Sequence, residues 1–105
     1  MAFADTLKQL APVTHLAGLQ LRDEHGAVVA TLENKPGQAG SVAVNAALAQ
    51  RFGAITVLAA HEGLAMYAEH TDDARAHPGK HPNIDRLLAL IEVGGRYGVK
   101  LLPAA

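Results

Sequence analysis

The sequence predicts an α/β (α+β) fold in which helices pack on a mixed sheet of about four strands, with an N-terminal β-hairpin and a C-terminal βαβ unit. Two runs of alternating or β-branched residues, 18–23 and 27–33, favour the hairpin. Apolar residues recur at helical spacing in the second half, and two short apolar runs each follow a glycine. Together these observations predict alternating helices and strands after the hairpin.

The first third of the chain is predicted to form one short helix and the hairpin. Residues 2–10 form the helix, with Asp5 or Thr6 as its cap, and Pro12 ends or redirects it. Gly26 lies between the two strand-forming runs, where a positive φ suits a tight antiparallel connection.

A loop and a long apolar helix are predicted next. The loop, NKPGQAGS, covers residues 34–41, and its last residue, Ser41, is a favourable N-cap. The helix that follows, VAVNAALAQRF, is apolar on nearly all sides, which predicts burial on more than one side. Gly53 is predicted to end this helix.

The βαβ prediction rests on two apolar runs on either side of the last helix. Thr56 is predicted to cap a short helix, VLAAHE, that ends at Gly63, so that LAMYA (64–68) forms a buried strand. The final apolar run, 99–102, is predicted to be the last strand. If both strands enter one sheet, the helix between them makes a right-handed crossover.

That last helix is the clearest amphipathic pattern in the chain. Asn83 is predicted to cap it, Gly94 and Gly95 weaken its end, and Gly98 is predicted to close it. Four residues at i, i+3, i+4 and i+7 form its apolar face: Ile84, Leu87, Leu88 and Ile91.

Length and composition predict one cytoplasmic domain. The chain has 105 residues, of which 50% are hydrophobic, and a formal net charge of −1, which gives no support for binding nucleic acid. Cysteine is absent, which excludes disulfides, thiolate catalysis and cysteine-based zinc sites. The first ten residues do not resemble a signal peptide, and no apolar run approaches the roughly 20 residues of a membrane span. The expected partners are a small-molecule ligand and a second copy in a homodimer, with no nucleic acid and no membrane.

Potential ligands and proton carriers are concentrated in residues 69–85. If 69–77 is helical, Asp73 and His77 are neighbours at i and i+4, His70 lies one turn earlier, and His81 folds back after a turn. Neutral imidazoles and carboxylates bind divalent metals, so these four side chains predict a site for zinc, manganese, iron or nickel. The spacing matches no established metal motif. Two other interpretations stay open: a solvated connection, and a His–Asp pair that serves acid–base catalysis or proton-linked binding.

The glycine-containing loop before the long helix is a second candidate site. Lys35, Gly37, Gly40 and Ser41 would hold an anion at the helix N-terminus, where backbone N–H groups are unpaired. Neither the Walker pattern nor GxGxxG is present, so a simple turn with an N-cap is the alternative. Ser41 is the only serine and no GxSxG motif surrounds it, which does not favour a serine hydrolase.

The segments NKPGQAGSVAV and YAEHTDDARAHPGKHPNIDRLL resemble a short bacterial family known only as a domain of unknown function. The resemblance extends over nearly the whole chain. It implies a bacterial, cytoplasmic, single-domain protein, and it transfers no activity, cofactor or catalytic residue.

The sequence therefore predicts a small soluble protein that binds a ligand or a metal through its His/Asp-rich segment. The alternatives are a homo-oligomeric interaction module without a catalytic site, and a metal- or histidine-dependent enzyme. A ligand pocket is favoured if the glycine loop and the histidine segment line one cleft.

Overall fold

The computed structural model describes all of residues 1–105 and contains five helices and three strands. In chain order these are α1 Phe3–Gln9, β1 Leu16–Arg22, β2 Val28–Glu33, α2 Ala39–Phe52, α3 Val57–Tyr67, α4 Glu69–Ala76, α5 Pro82–Val93 and β3 Gly98–Pro103. The sheet is antiparallel throughout, with the order β2-β1-β3. The α+β class is confirmed, whereas the four-stranded mixed sheet and the βαβ unit are wrong.

The predicted hairpin is confirmed, and its first strand becomes the centre of the sheet. Leu19 of β1 lies opposite Leu32 of β2 and Leu101 of β3. Leu19 and Leu32 are both buried. Directly paired residues in antiparallel strands point to the same face of the sheet, so these two side chains lie on one face. This face carries the sheet's contribution to the core.

Residues 64–67 of the predicted strand 64–68 are helical because Gly63 lies at a helix crossing and does not end a helix. A Cβ atom at this position would come within 2.9 Å of Cδ1 of Leu87 and 3.0 Å of Cδ1 of Leu48. The glycine therefore lets α3 approach α5 and α2 closely, and α3 continues through it to Tyr67. Without a strand here, no parallel strand pair exists and the βαβ unit is lost.

The predicted helix boundaries are confirmed at Gly53 and Thr56, whereas α5 ends at Gly94 and not at Gly98. Gly53 and Gly94 end α2 and α5 in the left-handed conformation, with φ of 78° and 67°. Thr56 caps α3 as predicted, because its hydroxyl accepts a hydrogen bond from the N–H of Ala59 at 3.1 Å. Ser41 and Asn83 are not caps.

Both of these residues lie inside the first turn of their helices. The helix α2 begins at Ala39, with Gln38 as its N-cap. The helix α5 begins at Pro82, a residue that is well suited to the first helical position because it has no N–H group to leave unpaired. In α1, Asp5 likewise lies in the first turn and accepts a hydrogen bond from the N–H of Ala2 at 3.2 Å.

The histidine segment is helical in its first half. Ala68, with φ of 52°, separates α3 from α4. Thr71 is buried, and its hydroxyl donates to the carbonyl oxygen of Leu64 at 2.6 Å, which ties α4 to α3.

The core is aliphatic and continuous between the sheet and the helices. The helix α2 packs on the sheet and on α3, and α3 packs on α5. Sixteen buried residues form one cluster, to which β1, α2 and α5 each contribute three. None of the five helices is both long enough and apolar enough to cross a lipid bilayer.

Candidate functional site

A cleft of about 390 Å³ is lined by every helix and by no strand. It brings together five of the residues predicted from sequence as site residues: Gly37, Gly40, Ser41, His70 and His81. The glycine loop and the histidine segment therefore line the same cleft, as a ligand pocket requires.

The other three predicted residues lie outside the lining. Lys35 is turned toward β2, where its Nζ forms an ion pair of 2.8 Å with Oε2 of Glu33. His77 is exposed in the turn after α4. Asp73 does not line the cleft, but its carboxylate contacts two residues that do, Lys80 and His81.

Asp73 is the polar centre of the histidine segment. Its Oδ2 lies 2.6 Å from Nε2 of His81 and 2.9 Å from Nζ of Lys80, and its Oδ1 lies 3.8 Å from Nε2 of His77. The hydrogen bond from His81, followed by that from Lys80, lowers the pKa of Asp73 to about 2. The carboxylate is therefore ionised at neutral pH.

This ionisation fixes the tautomer of His81. An ionised carboxylate can only accept hydrogen bonds, so Nε2 of His81 must carry a proton and donate to Asp73. In the neutral ring, Nδ1 is then the nitrogen that can accept a proton or a hydrogen bond.

The turn that carries Lys80 and His81 is fixed at both of its ends. Pro82 keeps the preceding His81 out of the helical conformation, at φ −124° and ψ 80°. The carbonyl oxygen of His81 accepts from the N–H groups of Ile84 and Asp85, and the Asp85 carboxylate accepts from the N–H of Gly79 at 2.9 Å. Asp85 thus holds the turn from within α5.

Tyr67 and Ser41 form a buried contact at the cleft. The Tyr67 hydroxyl donates to Oγ of Ser41 at 2.6 Å. Burial raises the pKa of the Tyr67 phenol above its usual range, so the phenol is neutral at physiological pH. The carbonyl oxygen of Ser41 accepts from Nδ2 of Asn45 at 2.9 Å, which holds this residue from the helix side.

The first turn of α2 presents unpaired donors. The N–H groups of Gly40 and Ser41 have no acceptor within the protein, as is usual for the first residues of a helix. Both residues line the cleft.

Sequence reasoning missed the contribution of α1. Phe3 and Leu7 line the cleft, although they lie more than 60 residues before the histidine segment. The N–H of Phe3 donates to Oε1 of Glu69 at 2.7 Å, and this hydrogen bond lowers the pKa of Glu69. No sequence motif links α1 to α4, so this contact could not be read from spacing.

Three further residues of the lining lie close in sequence to the histidines: Tyr67, Lys80 and Asn83. Lys80 pairs with Asp73. Arg86 donates to Oδ1 of Asn83 at 3.0 Å and makes no ion pair. Burial lowers the pKa of its guanidinium, which nevertheless stays charged.

The structure gives no support to the predicted metal site. No three or more His, Cys, Asp or Glu side chains are arranged to hold a metal ion. Of the four predicted ligands, His70 and His81 have ring centroids 5.6 Å apart, whereas His77 is exposed and Asp73 is engaged by Lys80. Metal binding by these four residues stays a prediction.

Comparison with known proteins identifies a family. Residues 3–101, which include every residue that lines the cleft, match the model of a family described as uncharacterised proteins conserved in bacteria (DUF2322). No curated protein and no solved structure matched the chain. The resemblance to a bacterial family of unknown function is confirmed: the chain belongs to this family, DUF2322.

Proposed function

We propose that this protein is a small-molecule-binding domain whose cleft takes a ligand with a negatively charged group. The observation that carries the proposal is that one cleft is lined by both the glycine loop and the histidine segment. Its volume of about 390 Å³ lies within the range of roughly 300–1,000 Å³ that is usual for small-molecule sites.

The charges of the lining favour an anion. Lys80, His70 and His81 line the cleft, and no Asp or Glu does. Asp73 binds Lys80 from outside the lining and leaves the other ammonium donors of this lysine available. A carboxylate or phosphate in the cleft would therefore meet the Lys80 ammonium, and no carboxylate lines the cleft.

The backbone supports the same type of ligand. The N–H groups of Gly40 and Ser41 are unpaired and lie at the positive end of a 14-residue helix. These N–H donors lie in the same cleft as Lys80 and the histidines. They would therefore add backbone hydrogen bonds to the side-chain contacts of an anion bound there.

Titration with inorganic phosphate, followed by amide NMR, tests the proposal. We expect saturable shifts of the Gly40 and Ser41 amides, whereas the amide of Gly98, at the start of β3, should not move. Lys80→Gln should weaken phosphate binding by about fivefold, the upper end of what an exposed charge pair contributes.

Lys35→Gln is the matched control for this substitution. Both lysines pair with a carboxylate, and their side chains are similarly exposed, 60% for Lys80 and 56% for Lys35, but only Lys80 lines the cleft. Titration with acetate tests a carboxylate in the same way. Equal weakening of phosphate binding by both substitutions would refute the proposal, as would the absence of saturable shifts with both phosphate and acetate. A response to zinc or manganese in place of the anions would favour the predicted metal site.

A further inference from the structure

Four rings form a continuous row along the cleft. The rings of Phe3 and Tyr67 are stacked with centroids 5.1 Å apart and an interplanar angle of 28°. The ring of His70 meets Phe3 edge-on at 5.3 Å, and the ring of His81 lies 5.6 Å from that of His70. All four residues line the cleft, and we call them the ring row.

The ring row is unusual for this chain, which has only two Phe and two Tyr. One of each lies in the ring row, while the core is otherwise built almost entirely from Leu, Val, Ile and Ala. Phe3 packs against the edge of that core, since it is only half-buried and α1 contains no fully buried residue. Its ring contacts the rings of Tyr67 and His70.

Aromatic rings attract other flat rings through stacked and edge-on contacts. We propose that the ligand is an aromatic anion, whose ring packs on the ring row while its carboxylate or phosphate meets Lys80 and the histidines. This inference rests on the proposed function, because it assigns the body of the ligand whose charged group was assigned above.

The cleft has room for both parts of such a ligand. Leu7, Pro82 and Ile84 add aliphatic surface to the lining beside the ring row, and a volume of about 390 Å³ accommodates a one- or two-ring molecule. Polar donors and apolar rings are thus present in the same cleft, which suits an amphiphilic ligand better than a free inorganic ion.

Calorimetric titration with five probes separates the two proposals: inorganic phosphate, cyclohexyl phosphate, phenyl phosphate, benzoate and benzyl alcohol. We expect phenyl phosphate to bind roughly two- to tenfold more tightly than cyclohexyl phosphate, which has a similar size but no π-system. Benzoate is the carboxylate arm, and its affinity relative to phenyl phosphate identifies the charged group.

Phe3→Leu should remove the preference for phenyl over cyclohexyl phosphate. Phe52→Leu is the control, because this second phenylalanine lies at the end of α2, outside the cleft. If phosphate binds and phenyl phosphate is no tighter than cyclohexyl phosphate, the aromatic inference is overturned and the proposed function stands. If benzyl alcohol binds as well as phenyl phosphate, the ring row is supported and the anion proposal fails. If no probe binds, both fail.

Discussion

Asp73 determines the geometry of the histidine segment through its contacts with Lys80, His81 and His77. Its hydrogen bonds to His81 and Lys80 lower its pKa to about 2, below the roughly 3.9 of a free aspartate. Because the folded-state pKa is depressed, the ionised carboxylate stabilises the fold above pH 4, and this contribution is lost as the pH falls toward 2.

Asp73→Asn should therefore remove part of the acid sensitivity of the protein. We expect the free energy of unfolding of the wild type to fall more steeply between pH 4 and pH 2 than that of the variant, measured by urea unfolding at several pH values. Asp72→Asn is the control, since Asp72 is exposed and makes no ion pair. Parallel pH profiles for the wild type and Asp73→Asn would contradict this account.

Gly18 is required by the close approach of β1 and β2. A Cβ atom at this position would lie 2.2 Å from the carbonyl oxygen of Leu32, so an alanine would displace the backbone of β2. We expect Gly18→Ala to destabilise the protein by about 3 kcal/mol, at the upper end for overpacking, as measured by urea unfolding.

Gly98→Ala is the matched control at the start of β3. A Cβ atom there would have no neighbour within 4 Å, and its φ does not require glycine. Its effect should stay within about 0.5 kcal/mol, as for other surface substitutions. A Gly18→Ala variant as stable as Gly98→Ala would show that the sheet can open at this position without cost.

At the same scale, the sequence predicted the polar half of the cleft and missed the aromatic half. His70, His81, Gly40 and Ser41 were recognisable because their residue types and their loops suggest chemistry. Phe3 carries no such signal, since an aromatic residue near the start of a chain is consistent with any packed helix. Its role depends on α1 crossing onto α3 and α4, a long-range contact that local patterns do not encode.

At the level of elements, local signals predicted the hairpin and the end of α2 at Gly53 but not the path of α3. A glycine followed by a short apolar run is typical of a helix end and a strand, and Gly63 with LAMYA fits that pattern. The glycine is instead selected by the side chains of Leu48 and Leu87, which come from two other helices. Packing between helices therefore decided the structure here, and local propensity did not.

The junction between α3 and α4 contains the only non-glycine residue with a positive φ. Ala68 has φ 52° and ψ −117°, a conformation that is strained for a residue with a Cβ atom. Ala68→Gly should relieve this strain, and we expect a gain of about 1 kcal/mol after the added entropy of the unfolded chain is subtracted.

Ala65→Gly, three residues earlier in α3, is the control for this substitution. Ala65 is exposed and helical, so its replacement by glycine should destabilise the protein by about 1 kcal/mol. Both variants carry the same alanine-to-glycine change. Their effects on the free energy of unfolding should nevertheless have opposite signs, as measured by thermal or urea unfolding. A loss of stability in both variants would mean that the junction is not strained.

Across the whole molecule, the sheet and the cleft have different tasks. No strand lines the cleft, yet the sheet holds α2, whose first turn supplies Gly40 and Ser41. The central strand β1 is paired on both sides and contributes Leu16, Leu19 and Leu21 to the core, whereas α1 buries no residue fully. The free energy of local opening should therefore be highest in β1 and lowest in α1.

Native-state hydrogen exchange should resolve this gradient. We expect the amides of β1 to exchange only through global unfolding, with a free energy equal to that from urea unfolding, and the amides of α1 to exchange at least about 2 kcal/mol more easily through local opening. Gly18→Ala should lower the protection of β1 by its full destabilisation and leave that of α1 nearly unchanged. A ligand in the cleft should raise the protection of both elements, because it binds only the folded protein and because Phe3 and Leu7 of α1 line the cleft. Equal protection of α1 and β1 in the free protein would show that α1 is an integral part of the cooperative core.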